Sequence, residues 1–205
     1  MANLTQRVLT PLAYLRIKRH GKWTEELALP LFLSAITVAA VYALGEKFSV
    51  YGTPGLINSL TSYFQLLSGF FITALAAIAT FNRQGLDDPM LGDPPTLIHA
   101  KDYQPEMLSR RRFLCFLFGY LAFGSLVIYF SGTIITLAAP VLHASFNETI
   151  RPFIKWGVLL GFTFLSFNIL LTSLLGLYYL TDRLHRDPPS VEKVNPDSIE
   201  SDDLG

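Results

Sequence analysis

Four stretches without a single Asp, Glu, Lys or Arg constrain this chain more than any motif in it: Leu27–Gly45, Ser49–Asn82, Phe113–Leu142 and Trp156–Thr181. Each is close to or beyond the ~20 apolar residues that a helix needs to cross a ~30 Å hydrocarbon core. In lipid every backbone N–H and C=O must be satisfied within the segment, so windows of this length are helices. The expected fold is all-α, a polytopic membrane protein with four transmembrane helices at about 27–45, 54–81, 113–142 and 156–181. Composition alone would not reveal this, since 51% hydrophobic residues is barely above the ordinary share. All 16 basic and 16 acidic residues lie outside the four windows.

The positive charges also set an orientation. Five Lys and Arg precede the first window, five lie between the second and third, and three follow the fourth, whereas the two intervening links hold one and two. The positive-inside rule then places both termini and the long polar segment in the cytoplasm, with the protein multi-pass in the inner (plasma) membrane. The first span, preceded by a basic segment and followed by no cleavage context, reads as an uncleaved anchor rather than a signal peptide. Residues 1–25 form a cytoplasmic basic segment in which Leu4, Val8, Leu12 and Leu15 recur at helical spacing, the pattern of an amphipathic helix on a membrane surface. Residues 26–181 form the transmembrane domain, with a cytoplasmic loop at 82–112, and 182–205 an acidic cytoplasmic tail.

Local signals refine the elements. Thr24 before Glu25 and Glu26 reads as a helix cap, and so does Thr53 before Pro54. The short link from Gly45 predicts an antiparallel hairpin of spans one and two. In the loop, Pro105 and Glu106 are positioned to open a helix that continues through Arg110, Arg111 and Arg112. Those three arginines at the membrane edge fit a topology anchor and lipid-headgroup contact.

The second span carries a further pattern. Asn58, Ser62, Gln65, Gly69, Thr73, Ala76 and Thr80 recur at steps of three and four and share one helix face. Comparable small or polar series run through span three, from Cys115 to Thr136, and through span four, where Gly157 and Gly161 have GxxxG spacing and Asn168 lies seven residues on. Small residues let helix backbones approach and amides bond across the contact, so such faces serve helix packing, association of protomers, or the wall of a pore.

Catalytic chemistry is not indicated. No ionisable residue lies inside a span, where pumps and intramembrane enzymes keep theirs. His20, His99, His143 and His185 have no ligand spacing, Asp87, Asp88 and Asp93 match no calcium-loop pattern, and the lone Cys115 fits a structural thiol. No metal or cofactor is therefore expected, and the zero net charge speaks against a direct nucleic-acid partner. The reading is a non-enzymatic, homo-oligomeric membrane protein that anchors, senses for or regulates a soluble cytoplasmic partner. The alternative is a small ion channel or pore lined by the second span's stripe.

Four spans, cytosolic ends, a cytosolic loop bearing Pro and Asp, and no catalytic motif resemble the membrane subunit of the bacterial Kiwa antiphage defence system. The similarity is one of general plan over residues 1 to 186, and no functional residue is carried over from it. It implies a homo-oligomeric membrane sensor that holds a soluble DNA-binding effector on the cytoplasmic face.

The orientation is checked in a Cys115→Ser chain bearing one new cysteine. An impermeant maleimide is expected to label Ser145→Cys in intact cells and Asp88→Cys only after permeabilisation; the reverse pattern would contradict the charge argument.

Overall fold

The computed structural model describes residues 10–18, 22–45, 48–52, 54–80, 96–98 and 105–183. Four long helices dominate: α1 (Leu29–Leu44), entered through a π-helical turn at Thr24–Ala28; α2 (Leu56–Thr80); α3 (Arg110–Ser145); and α4 (Arg151–Tyr178), which runs into a second π-helical turn at Tyr179–Arg183. Each is long and apolar enough to cross a membrane, so the chain is a multi-pass membrane protein. Residues 1–9, 81–95 and 184–205 lie outside the described residues, and with them Leu4, Val8, the three aspartates of the loop and the acidic tail.

Helix ends differ from the charge-free windows because a window marks hydrocarbon, whereas an end is set by caps. The first helical stretch already runs at Lys22 and Trp23, ahead of Thr24, so Thr24 is not its cap. Thr53 lies outside the described residues; the first N–H groups of α2, those of Leu56 and Ile57, reach the carbonyls of Ser49 and Val50, both at 3.2 Å. In α3 the cap is Ser109, whose Oγ accepts the Arg112 N–H at 3.4 Å and whose carbonyl accepts that of Phe113 at 3.0 Å. The expected helix opening at Pro105 is instead a strand.

That strand belongs to a small antiparallel sheet, β1 (Ile17–Lys18), β2 (Thr96–Ile98) and β3 (Pro105–Met107), in the order β1-β2-β3. The register pairs Ile17 with Leu97 and Leu97 with Glu106. Residues 17–18, 96–98 and 105–107 are thereby joined through backbone hydrogen bonds. The 3-10 helix Thr10–Arg16 precedes β1 and packs on α3. Its buried residue is Tyr14, while Leu15, which the helical spacing puts on an apolar face, is half exposed. A 3-10 turn advances about 120° per residue rather than 100°, so a face drawn with the α-helical period does not survive in it.

The helices do not close into a square. α2 and α3 pack chiefly on each other, α4 packs on both α3 and α1, and α1 takes α4 as its main neighbour rather than its hairpin partner α2. Half of the apolar window of α3 is buried, against 17% for α1 and for α2. α3 is therefore the spine, and α1 and α2 are outer helices with broad open faces. Gly45, which ends α1, has φ +59°, a conformation that side chains other than glycine rarely adopt. Its place at the C-terminus of α1 turns the chain away from the helix.

Gly132 sets the α2–α3 distance. A Cβ there would overlap Thr61 Oγ1 of α2 and crowd the ring of Phe162 on α4. Ile57, Phe64 and Phe71 of α2 share one buried core with Leu117, Phe118, Leu121 and Ile128 of α3, the rings of Phe71 and Phe118 lying 6.3 Å apart. The buried hydroxyls are satisfied within their own helices: Thr61 donates to Ile57 O at 2.7 Å, Thr163 to Leu159 O at 2.7 Å and Ser166 to Phe162 O at 2.8 Å. Ser125 Oγ, fully buried, has no hydrogen-bond partner among the described residues.

Gly132→Val is expected to force the two helices apart and cost ~1–3 kcal/mol, whereas Gly69→Val at an open surface should be near neutral for the monomer fold. Thermal unfolding in a mild detergent checks both, and equal effects would sink this view of the α2–α3 contact.

Candidate functional site

Two arrangements stand apart from ordinary packing. The first is a polar clasp where the N-terminal segment, the start of α1, α3 and α4 converge. Pro30 has no N–H, so the Glu26 carbonyl four residues back loses its helical donor. The Asn168 side chain of α4 supplies one: Nδ2 donates to Glu26 O at 2.6 Å. Asn168 Oδ1 in turn accepts the Tyr120 hydroxyl of α3 at 2.6 Å. Tyr120 stacks on Tyr14 with ring centroids 5.0 Å apart, and the Tyr14 hydroxyl donates to Glu26 Oε1 at 2.8 Å. The circuit from Glu26 through Asn168, Tyr120 and Tyr14 returns to Glu26.

Lys22 closes the other side of the clasp. Its Nζ donates to the carbonyls of Tyr14, Leu15 and Ile17 at 3.0, 2.9 and 2.8 Å, where the 3-10 helix passes into β1. It lies 5.0 Å from the centre of the Tyr14 ring and 3.6 Å from Glu26 Oε2. One cation thus holds a segment end, an aromatic face and a carboxylate. Phe113 extends the aromatic cluster, tilted 6.4 Å from Tyr14 and edge-on 4.9 Å from Tyr179. A shift of the N-terminal segment must therefore disturb α1, α3 and α4 together. Tyr14, Lys22, Glu26 and Tyr120 were not anticipated from the sequence; Asn168 was, but as part of a packing stripe.

The second arrangement is the stripe itself. On α2 the face that packs inward carries Ile57, Thr61, Phe64, Ser68, Phe71 and Ile78. Ser62, Gln65, Gly69, Thr73, Ala76 and Thr80 are exposed and Asn58 half-exposed, so the predicted stripe points away from the protomer's own core. Ser62, Thr73 and Thr80 bond to carbonyls of their own helix, at 3.0, 2.9 and 2.9 Å. Nothing lies within 4 Å of a Cβ built on Gly69. The same holds for Gly157 and Gly161, so the GxxxG surface of α4 is open as well. Asn168, Thr172 and Gly176 run along the same helix but are not open: Asn168 bonds to Tyr120 and Glu26, Thr172 is buried, and Gly176 faces Leu117 and Phe118 of α3.

The three arginines do several local jobs. Arg111 donates to Ala79 O near the C-terminus of α2 at 3.5 Å, the guanidinium of Arg112 is 5.9 Å from the Phe116 ring centre, and all three begin α3. Cys115 is half-buried. Among the described residues no three His, Cys, Asp or Glu side chains come together to hold a metal ion.

The fold and these surfaces define a class, a four-span polytopic membrane protein with an N-terminal segment clasped to its bundle. Comparison with protein families, curated proteins and solved structures gives no match for the chain.

Asn168→Leu removes the donor to Glu26 O and leaves the Tyr120 hydroxyl without its acceptor. Combined with Tyr120→Phe in a double-mutant cycle, it should show a coupling of ~0.5–2 kcal/mol. Additive losses in thermal unfolding would mean that the two side chains act independently.

Proposed function

We propose that this chain is a non-enzymatic, oligomeric membrane module that holds or controls a soluble partner at its cytoplasmic side. The observation that carries this is the outward face of α2: Asn58 and Gln65 project polar amides from a membrane-spanning helix, and no hydrogen bond satisfies either side chain among the described residues. Gln65 lies nine residues into the helix, or about 14 Å at 1.5 Å per residue. At such a depth an unpaired amide facing lipid is costly, and an equivalent face on a second copy relieves it. Isologous pairing about a symmetry axis brings each amide to a donor or acceptor of its own kind. The open Gly157 and Gly161 surface offers a second close-approach face, which a ring of protomers can use.

The partner side of the reading rests on the unit formed by β1, β2 and β3. It joins residues 17–18 to 96–98 and 105–107, just before the Arg110–Arg112 start of α3, and the clasp ties residues 14–17 to the helices. The resemblance to the Kiwa membrane subunit adds antiphage defence as the setting and a DNA-binding effector as the partner. A pore is the second reading, favoured by the amides alone: around an axis the same α2 face would line the centre.

The oligomer is tested by mass in detergent or nanodiscs. The wild-type chain is expected as a defined oligomer and Asn58→Leu/Gln65→Leu as smaller species, with a soluble protein retained by the former through residues 82–107. A monomer that retains nothing would sink the proposal, while ion flux through liposomes that disappears in the double variant would favour the pore.

A further inference from the structure

The end of the bundle opposite the clasp holds a half-open cavity of about 400 Å³ between the last turns of α3, the first turns of α4 and the α1–α2 link. Its walls are apolar, with Ile135 and Ala139 on α3 and Val158 on α4, and Arg151, Lys155 and Tyr51 stand around it. Pro140, next to Ala139 within α3, offers no N–H to the Thr136 carbonyl.

The two cations are held in place. Arg151 Nε donates to Phe146 O at 2.7 Å, which orients the guanidinium and leaves its terminal nitrogens to donate elsewhere. Lys155 Nζ lies 5.3 Å from the centre of the Trp156 ring, and that ring packs edge-on against Tyr42 at 5.7 Å. Neither cation has a carboxylate partner among the described residues. The Tyr51 hydroxyl donates to Lys155 O at 3.4 Å, and burial raises its pKa, so it stays a neutral donor.

From this geometry we infer that the cavity is a site for an anionic phospholipid of the surrounding leaflet, its phosphate between Arg151 and Lys155 and the start of one acyl chain against Ile135, Ala139 and Val158. Charge complementarity selects the occupant: two unpaired cations at the mouth of an apolar cleft suit one anion joined to a hydrocarbon chain. Aqueous anions would leave the apolar wall uncovered, and a zwitterionic headgroup would bring its own cation beside Arg151. The volume falls in the range of small-molecule sites and holds a headgroup with part of one chain, the remainder staying in the bilayer. The site is separate from the clasp and from the α2 stripe, so it stands or falls apart from the oligomer proposal.

Native mass spectrometry of the full chain in mild detergent tests it, with phosphatidylglycerol and phosphatidylcholine of the same chains added at matched concentration. One tightly held phosphatidylglycerol per protomer is expected, preferred about twenty-five-fold, since each of the two cations near an anionic surface is worth roughly a factor of five. Arg151→Gln/Lys155→Gln should bring that preference close to one. Ala139→Phe, which keeps both charges and fills the cleft, should lower retention of the bound lipid. Equal binding of the two lipids, a preference that survives the double substitution, retention unchanged by Ala139→Phe, or displacement of the lipid by millimolar inorganic phosphate would each overturn the assignment.

Discussion

A bilayer offers no hydrogen bonds to a polar group left facing it, and much of this structure follows from that single constraint. Where a hydroxyl sits in a helix it donates to a carbonyl three or four residues back, as Thr163 and Thr172 do. Where Pro30 removes a donor from α1, Asn168 restores it from another helix, at 2.6 Å. Because Asn168 must also have its carbonyl oxygen satisfied, Tyr120 is drawn in, and through its ring Tyr14 and the N-terminal segment. One missing N–H thus ends in a contact that joins four parts of the chain. Asn58 and Gln65 are governed by the same rule, and nothing within the described protomer satisfies their side chains.

The unequal burial of the helices points the same way. α3 is the spine because Phe113, Leu117, Phe118, Leu121 and Ile128 are buried on successive turns, and Gly132 lets α2 come close. α1 and α2 each attach by one side. A lone four-helix unit in lipid could leave Leu66 and Phe70 outward at no cost, since lipid tails are as apolar as they are. Gln65 beside them is another matter, and its placement is hard to explain by the packing of one chain.

The spans were legible in the sequence because charges are excluded from hydrocarbon, and the four helices lie where the charges are missing. The α2 stripe was legible as one face, since its spacing is that of a helix; that it faces outward was not, because direction depends on where α3 lies. Asn168 was visible as part of the span-four series, and Pro30 stands in plain view within the first window. Linking them required knowing that α1 lies against α4, although a short link suggests packing on α2. Tyr14 and Tyr120 could not be singled out from sixteen Phe and nine Tyr. The sheet was out of reach for a similar reason: strands of two and three residues carry no readable alternation, and their pairing joins positions some 80 residues apart.

The central claim is that the amide-bearing face of α2 is covered by another copy of the chain. Site-directed spin labelling along α2, in a Cys115→Ser chain reconstituted in liposomes, measures it directly through collision with oxygen dissolved in the bilayer. Labels at Ser62, Gln65 and Gly69 are expected to be shielded, while those at Leu66 and Phe70 collide freely. Equal and high accessibility all around the outer surface of α2 would mean that the stripe faces lipid, and would contradict the account.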